Sequence, residues 1–484
     1  MRTLRAVAAW LALPALLAAI ACSTNPATGH KQLNLYSQEQ EIALGRQYDQ
    51  QVVQQLGLYE DREVQSYVER LGRQLAARSE RPDLPWHFAV VDDPAVNAFA
   101  LPGGYVYVTR GLVDHMGSEA ELAGVMGHEI GHVTGRHSVN QLSKQQLTQI
   151  GLTLGMVLAP EAQRYGDLVN LAGGLVFLKF SRDDERQADE LGLRYISRGG
   201  YPPQAMGNVF TLLSRVSRVE QGGRLPQWLA THPDPESRLK LMQTYYARLP
   251  SGLGSEGWRR EPLLRVVDGS IYGPDPRQGF FRNGVFYHPE LGFALETPRG
   301  WKGMNQRQAV VWQPREKDAI FALTLANAGS ARGAAQQFFN QQGVEPLGQW
   351  PLQPSGGVGG QFQANTQQGP VTGAVTFVEV GGKVYQLLGF APQGAFRSYA
   401  EEIGGAMRSF HRVSDRELGR VEPWRIEVVK LAAPMSLRDF DRQHPSTVPL
   451  ERVALLNNAE LDTRYVAGDE LKRVVGGVPG AEIE

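Results

Sequence analysis

Cysteine is almost absent from the sequence. Of 484 residues only Cys22 carries a thiol, so no disulfide can form within the chain. The stability of the fold must therefore come from sources other than covalent cross-links. A chain of this length exceeds what one hydrophobic core ordinarily organises, and about two to four domains are expected.

The sequence also lacks an excess of charge of either sign. It has 49 Lys and Arg residues against 50 Asp and Glu residues, and it has no basic run that could follow a phosphate backbone. Nucleic-acid binding is therefore not predicted. No internal repeat or low-complexity tract is present, and 42% apolar with 20% charged residues is the composition of a globular protein.

Apolar runs long enough to cross a bilayer are missing as well. The N-terminus has Arg2 and Arg5 followed by an apolar run from Ala6 to Ile20, which is too short for a spanning helix. A charged start, a short apolar middle and small residues at the exit are typical of a secretory signal, which we predict over residues 1–21.

The end of this segment, LAAIAC at residues 17–22, resembles the lipobox of bacterial lipoproteins. The resemblance implies that Cys22 carries acyl chains and anchors the protein to a membrane. Ser23 follows the cysteine, which by the same resemblance favours the periplasmic face of the outer membrane in the bacterial cell envelope. The alternative is an incidental or buried thiol.

The rest of the chain divides by composition and pattern. Apolar residues at three and four spacing predict helices over residues 37–56 and 61–79, and Ser118 with Glu121 forms an S-x-x-E capping box that opens another helix. Two short apolar stretches, 147–160 and 168–180, are predicted to be packed helices. The predicted segments are a lipidated tether (22–36), a mainly helical domain (37–249), a linker rich in Gly, Pro and Arg (250–282), a strand-rich domain (283–415) and a β-helix-helix-β module (421–478).

The motif that carries chemistry is GHEIGH, residues 127–132. His128 and His132 are four residues apart, so on a helix both imidazoles project from one face and can share one ion. Glu129 lies beside that face, where its carboxylate can take a proton from water. The pattern predicts a catalytic zinc site, which needs three protein ligands and one open position. Two solvated histidines on a helix would be the simpler interpretation.

Spacing alone leaves the third ligand open. A metzincin would have histidine at position 138, but this residue is Ser138, and His137 stands one position early, about 100° away on a helix. We therefore interpret His137 as a surface or packing histidine. The later stretch FSRDDERQADELG offers Glu185 and Asp189 on one helical face, as a ligand and as an acceptor for a histidine ring N–H. Rival carboxylates in this stretch are Asp183, Asp184 and Glu190.

GHEIGH together with SRDDERQAD, residues 181–189, resembles the HtpX-like and CAAX-prenyl-protease-like zinc peptidase family, and most closely its soluble periplasmic BepA-like and LoiP-like branch. The resemblance covers residues 23–249. It implies a zincin-type (gluzincin) fold, mainly α-helical with a small β-sheet. It also implies one Zn²⁺ held by His128, His132 and Glu185.

Two further stretches match the family. VNAFALPGG resembles the strand that borders the cleft, which implies that Asn97 and Ala98 pair with an extended substrate; an ordinary hairpin is the alternative. THPDPESR resembles a loop whose histidine, here His232, can take the fourth position on zinc; a loop histidine stiffened by Pro233 is the alternative. Arg238 would stabilise the oxyanion or hold this loop.

The C-terminal half has no catalytic constellation. Residues 283–415 loosely resemble a PsbP-like α/β sandwich, and residues 421–478 a small LysM-like βααβ module. LysM modules bind N-acetylglucosamine polymers, so the resemblance makes peptidoglycan a candidate partner. Both modules could instead only scaffold or shield the catalytic domain.

These features together predict a multidomain, lipid-anchored zinc endopeptidase that cleaves misfolded or stalled envelope polypeptides, with Glu129 as the base. An envelope chaperone or scaffold with a latched zinc site is the alternative. A peptidoglycan hydrolase is a third interpretation, and the glutamate-ligated peptidase motif argues against it.

Overall fold

A computed structural model of the chain describes residues 22–29, 31–146, 180–219, 228, 231–232, 234–246, 257–349, 354, 356–366 and 369–482. The predicted signal (1–21) lies outside these ranges, and so do the two apolar stretches predicted as packed helices, apart from Phe180. The described residues form two compact units. One is made by the chain up to Ser270 together with Ile426–Val474, and the other by Ile271–Arg425 with the residues after Val474.

Helices dominate the first unit. The amphipathic pattern predicted from residue 61 is a clear case, because the helix begins after the Asp61 cap and buries Val64, Val68, Leu71 and Leu75 on one face. Residues 137–146 are helical, and the helices with both ends among the described residues are α1 (Gln38–Gln55), α2 (Arg62–Ala76), α3 (Arg110–His115), α4 (Glu119–Thr134), α5 (Arg182–Arg198), α6 (Gln204–Val219), α7 (Pro235–Tyr246) and α8 (Arg260–Val267).

The helix α4 starts differently from the predicted capping box. Ser118 caps it, since its hydroxyl accepts a hydrogen bond from Glu121 N at 3.2 Å. The Glu121 carboxylate, however, accepts from Gly117 N at 2.6 Å, one residue earlier than the reciprocal bond of a capping box would require.

A small sheet lies beside these helices. Its strands are β3 (His87–Val91), β4 (Ala98–Leu101) and β5 (Tyr105–Thr109), with β5 in the centre, parallel to β3 and antiparallel to β4. Strand β5 is buried along its whole length, and the turn before it contains Gly103 and Gly104 at positive φ. Among the residues that the structure describes, β4 is an edge strand of this sheet, a position at which a further strand can pair.

The segment predicted as a tether is packed onto the first unit. Residues Cys22–Thr24 and Lys31–Leu33 form a hairpin (β1 and β2), and Asn25 between them is buried. Backbone groups of the segment also pair with the domain, since Leu35 N donates to Ser143 Oγ at 3.0 Å and Leu33 O accepts from Asn140 Nδ2 at 2.8 Å. The segment predicted as a linker likewise contains α8, whose Leu263 and Leu264 are buried. Composition alone does not predict the packed hairpin or α8, because a few buried side chains are enough to hold a polar segment against the domain.

The second unit is built from two antiparallel sheets. One has seven strands, in the order β12 (Val344–Gly348), β13 (Val358–Thr366), β14 (Gly369–Val380), β15 (Lys383–Pro392), β11 (Ile320–Leu325), β10 (Ala309–Gln313) and β9 (Lys302–Gln306). The other has four, in the order β16 (His411–Arg412), β8 (Phe293–Glu296), β7 (Val285–His288) and β6 (Phe280–Arg282). The helix Ala331–Phe339 packs on the large sheet, and Phe396–Ser409 packs on both β15 and β8. The helices of this unit are α9 (Ala331–Phe339), α10 (Phe396–Ser409) and α11 (Asp415–Leu418).

The predicted β-helix-helix-β order is present near the C-terminus. Strand β17 (Trp424–Lys430) pairs with β20 (Glu470–Gly476), and the intervening helices are α12 (Leu437–Gln443) and α13 (Leu450–Leu456). A second short pair joins β18 (Met435–Ser436) to β19 (Arg464–Tyr465). Most of this module belongs to the first unit. The LysM-like identity of the module, the PsbP-like identity of the second unit and the predicted domain limits stay predictions.

None of the helices in the described part of the chain combines the length and the apolar character needed to cross a bilayer.

Candidate metal centre

The two motif histidines lie side by side on α4. His128, Glu129 and His132 are each about 1% exposed, because α4 is buried along its whole length. The Nε2 atoms of His128 and His132 are 3.0 Å apart. The four-residue spacing therefore brings two ring nitrogens to one point, as the sequence predicted.

Glu185 reaches this point because α5 crosses α4 at very short range. A Cβ on Gly131 would lie 2.7 Å from Ala188 O, and one on Gly192 would lie 2.8 Å from His128 N, so neither position accepts a larger residue without separation of the helices. The Glu185 carboxylate lies 3.6 Å from His128 Nε2 through Oε2 and 3.5 Å from His132 Nε2 through Oε1.

The rival carboxylates of this stretch have other surroundings. Asp184 completes the capping box of α5 with Ser181. Asp183 pairs with Arg186 at 3.0 Å on the surface, and Glu190 is exposed near Arg194. The structure thus brings only Glu185, among these four acids, to the histidines.

His232 is the fourth side chain of the cluster. Its Nδ1 lies 3.3 Å from His128 Nε2 and 2.9 Å from Glu185 Oε1, and its Nε2 lies 3.7 Å from Glu129 Oε1. One candidate ligand atom from each of His128, His132, Glu185 and His232 lies within 4.8 Å of the other three. The Trp228 indole stacks on the His232 ring, with centroids 4.7 Å apart, and so fixes its plane.

Asp189 and Arg238 form an ionic layer behind the cluster. Asp189 Oδ1 lies 2.9 Å from His128 Nδ1, on the side of the ring away from the other candidate ligands. Arg238 Nη2 pairs with the same oxygen at 2.5 Å, and Arg238 Nη1 pairs with Glu185 Oε2 at 2.8 Å. The guanidinium also lies over the rings of Phe210 and Trp228, at 4.5 and 5.0 Å from their centroids.

Burial and these neighbours set the charges of the cluster. Burial lowers the pKa of His128 to about 3, with Arg238 acting in the same direction. Burial would raise the pKa of Glu185, but His232 and Arg238 hold it well below its usual range. Burial raises the pKa of Glu129 to about 7 although His132 acts against it. A neutral imidazole and an ionised carboxylate are the forms that bind a metal. A carboxyl group whose pKa lies near the surrounding pH is suited to proton transfer.

Residues 62–245 match the family model described as peptidase family M48. This part of the chain is therefore similar to peptidase family M48. The prediction of a zinc-metallopeptidase domain from the two motifs is thereby confirmed at the level of the family. The M48 segment contains every residue of the cluster.

Named relatives match the same region. The chain is 35% identical over 210 residues to the beta-barrel assembly-enhancing protease of Yersinia pestis, which covers 42% of this chain and 43% of that protein. It is 35% identical over 185 residues to the mitochondrial metalloendopeptidase OMA1 of Arabidopsis thaliana, covering 38% of this chain and 36% of that protein. The chain thus spans less than half the length of these relatives.

Among solved structures, cyanobacterial PsbP from Synechocystis sp. PCC 6803 is similar to part of this chain. The alignment covers 26% of this chain and 91% of the PsbP chain, at 13% identity and a TM-score of 0.21. A score this low does not decide the fold of the aligned residues.

The predicted substrate strand lies at the edge of the M48 domain's sheet. Ala98 begins β4, which is an edge strand among the described residues, and Asn97 just before it has both backbone groups paired with Thr109. The predicted roles of Asn97 and Ala98 stay predictions, as does that of Cys22, whose backbone lies in β1.

Sequence reasoning missed the contact that His137 makes with His132. His137 is buried, as expected for a packing histidine rather than a surface one. Its Nδ1 also lies 2.9 Å from His132 Nδ1, a contact that the sequence did not predict. The rotation of about 100° expected for His137 on a continuous helix does not apply, because α4 ends at Thr134 and Arg136 has φ of 54°. Gly135 is the signal that could have indicated this turn.

Proposed function

We propose that the protein is a zinc-dependent endopeptidase of the bacterial cell envelope that cleaves misfolded or stalled polypeptides. One observation carries the proposal. His128, His132 and Glu185 converge in a buried cluster, and the carboxylate of Glu129 lies beside it. The match to family M48 and the names of the relatives support the same conclusion.

The cluster fits a metal ion on chemical grounds. Asp189 Oδ1 is an acceptor at 2.9 Å from His128 Nδ1, so this nitrogen carries the proton and Nε2 keeps its lone pair. That lone pair faces His132 Nε2 at 3.0 Å, and the Glu185 oxygens lie 3.6 and 3.5 Å from the two Nε2 atoms, so a cation among these atoms could be bound by all three side chains. Two imidazoles and one carboxylate are the ligands of a catalytic Zn²⁺.

Zinc bound there would polarise the scissile carbonyl and acidify water at its open position. Glu129 would take the proton from the attacking water at its carboxylate and return it to the leaving nitrogen. Asp189 orients His128. Arg238 neutralises Glu185 and Asp189, and these contacts favour its role in holding the site over direct contact with the oxyanion.

The test is cleavage of casein by the full chain, by Glu129→Gln and by the full chain with a chelator. We expect Glu129→Gln to retain zinc and to lose cleavage by about a hundredfold or more, because no other carboxylate of the cluster is free to move the proton. Glu190→Gln, on the exposed side of α5, is the matched control and should cleave like the parent. Normal cleavage by Glu129→Gln would exclude Glu129 as the base.

His232 supports the second candidate function, an envelope chaperone or scaffold with a latched zinc site. Its Nδ1 lies 3.3 Å from His128 Nε2 and 2.9 Å from Glu185 Oε1, so His232 could serve as a fourth ligand and would then exclude the catalytic water until the loop moves. We expect His232→Ala to cleave casein faster than the parent if the latch limits turnover. Binding of zinc without cleavage by both proteins would favour the scaffold.

The remaining parts of the proposal concern location and partners. The names of the bacterial relatives support an envelope protein, and Cys22 would provide the lipid anchor at the outer membrane. Edge strand β4, beginning at Ala98, would bind the extended polypeptide substrate. The module at residues 421–478 would contact peptidoglycan, which sedimentation with purified peptidoglycan tests.

A further inference from the structure

The side of the His132 ring that faces away from the cluster meets a line of polar side chains from three parts of the chain. His132 Nδ1 lies 2.9 Å from His137 Nδ1, and His137 Nε2 lies 2.7 Å from Gln187 Oε1. Asn25 Nδ2 donates to the same Gln187 oxygen at 3.3 Å. Asn25 and His137 are 1% and 2% exposed and Gln187 is half-buried, so the bond between the two histidines is buried and the bonds to Gln187 are partly buried.

The donor and acceptor roles along this line follow from its far end. Asn25 Oδ1 accepts from the backbone N–H of Ala27 at 2.8 Å and of Thr28 at 3.3 Å, and these groups can only donate. Asn25 Nδ2 donates to Gly135 O at 2.9 Å, a group that can only accept. Asn25 Nδ2 also lies 3.1 Å from Gln32 Oε1, so its two hydrogens serve three acceptors, of which Gln187 Oε1 at 3.3 Å is the most distant. Because this amino group can only donate, the Gln187 atom beside it is assigned as the carbonyl oxygen.

Hydrogen bonds continue from Gln187 through His137 to His132 in the metal cluster. The Gln187 oxygen accepts from His137, so the proton of His137 is on Nε2 and its Nδ1 has a lone pair. That lone pair accepts from His132 Nδ1–H, which leaves the lone pair of His132 on Nε2, directed at His128 Nε2. The contacts from Asn25 through Gln187 and His137 thus favour the His132 tautomer whose Nε2 is free for the metal.

The backbone around His137 is shaped for this contact. Arg136 adopts a left-handed conformation, with φ of 54°, directly after α4 ends, and this returns the next side chain towards His132. A Cβ at residue 135 would lie 2.4 Å from His137 Nε2, so only glycine leaves room for the ring. Phe180 covers the other side of His132, with ring centroids 4.1 Å apart.

We propose that His137, Gln187 and Asn25 are positioning residues for the zinc site, which hold His132 in the tautomer and orientation needed for a ligand, as Asp189 does for His128. The inference rests on the proposed zinc-peptidase function. It makes the N-terminal hairpin, predicted as a mere tether, part of the support of the metal site.

The experiment measures zinc affinity of the full chain by competition with a chromophoric chelator, and the visible spectrum of the Co²⁺-substituted protein. We expect His137→Phe and Gln187→Met to weaken zinc binding about 10- to 100-fold and to change the cobalt bands, because outer hydrogen bonds of this kind are worth that much. Gln187→Glu keeps an acceptor towards His137 and should bind zinc like the parent. Gly135→Ala, which displaces the His137 ring, should resemble His137→Phe.

His115→Phe is the matched control, since His115 is a buried histidine outside the cluster. It should leave zinc affinity unchanged. Unaltered affinity in both His137→Phe and Gln187→Met, or a loss in Gln187→Glu equal to that in Gln187→Met, would overturn the inference. Failure of the parent to bind zinc would instead overturn the proposed function and the inference with it.

Discussion

At the scale of single residues, each side chain of the cluster is held by a partner of definite role. His128 has Asp189, His132 has His137, and Glu185 has Arg238 at 2.8 Å. Such partners fix ring orientation before a metal arrives, so less entropy is lost on binding. The affinity of the site should therefore depend on residues that do not contact the metal.

Asp189→Asn tests this expectation. The substitution removes the charge that pairs with Arg238 and weakens the acceptor for His128 Nδ1. Zinc affinity should fall about 10- to 100-fold, measured by chelator competition. Asp183→Asn, on the exposed side of the same helix, should bind zinc like the parent, and equal affinities of the two variants would contradict the expectation.

At the scale of secondary structure, the site depends on how closely α4 and α5 approach. The crossing works because Gly131 and Gly192 present bare backbone to Ala188 and His128. The hydrophobic pattern of either helix predicts that it forms, but the separation of the two axes depends on these few atoms. Glu185 reaches the histidines only at that separation.

Gly192→Ala should therefore disturb both stability and the site. Its Cβ would lie 2.8 Å from His128 N, a contact that only movement of a helix can relieve, and we expect a destabilisation of about 1–3 kcal/mol with weaker zinc binding. Gly405→Ala in α10 has open space around its Cβ and should be neutral or slightly stabilising. Thermal unfolding of both variants is the measurement. A stable Gly192→Ala with parental zinc affinity would show that the crossing tolerates a methyl group.

At the scale of the whole molecule, the C-terminal module packs as part of the first unit. Lys472 is 1% exposed, and its ammonium donates to Asp114 O at 2.5 Å and Met116 O at 2.9 Å, at the end of α3. Arg215 of α6 pairs with Glu460 at 2.9 Å. A chain truncated before residue 426 would lose these contacts. Tests of peptidoglycan binding are therefore better made with point variants on the exposed face of the module.

The buried Lys472 predicts a pH dependence of stability. Burial lowers its pKa to about 7 although Asp114 acts against this. Below this pH the amine is charged in both folded and unfolded chains, and the cost of burying the charge is constant. As the pH rises above 7, the folded protein releases the proton while the unfolded chain keeps it up to its ordinary, higher pKa, so stability should rise by about 1.4 kcal/mol per pH unit.

Comparison with Lys472→Met isolates this effect from other titrations. The free energy of unfolding of the parent, relative to that of Lys472→Met, should increase between pH 7 and pH 9, as measured by urea unfolding at each pH. A difference that stays constant over this range would mean that Lys472 does not titrate there.

The sequence by itself determined the features that depend on local spacing. The pair His128 and His132, the carboxylate of Glu129 beside them, the helix Arg182–Arg198 and the β-helix-helix-β order near the C-terminus all follow from periods of two or about 3.6 residues, which backbone geometry imposes on any chain. The family motif further singled out Glu185 from its neighbours.

Tertiary structure decided what depends on contacts between distant segments. Burial of Asn25, the return of His137 to His132 and the docking of Lys472 onto α3 each rest on one or two atoms that meet across many residues of sequence. Hydrogen bonds and close contacts of this kind act over a few ångströms in space, and no periodicity along the chain encodes which partners will come that near.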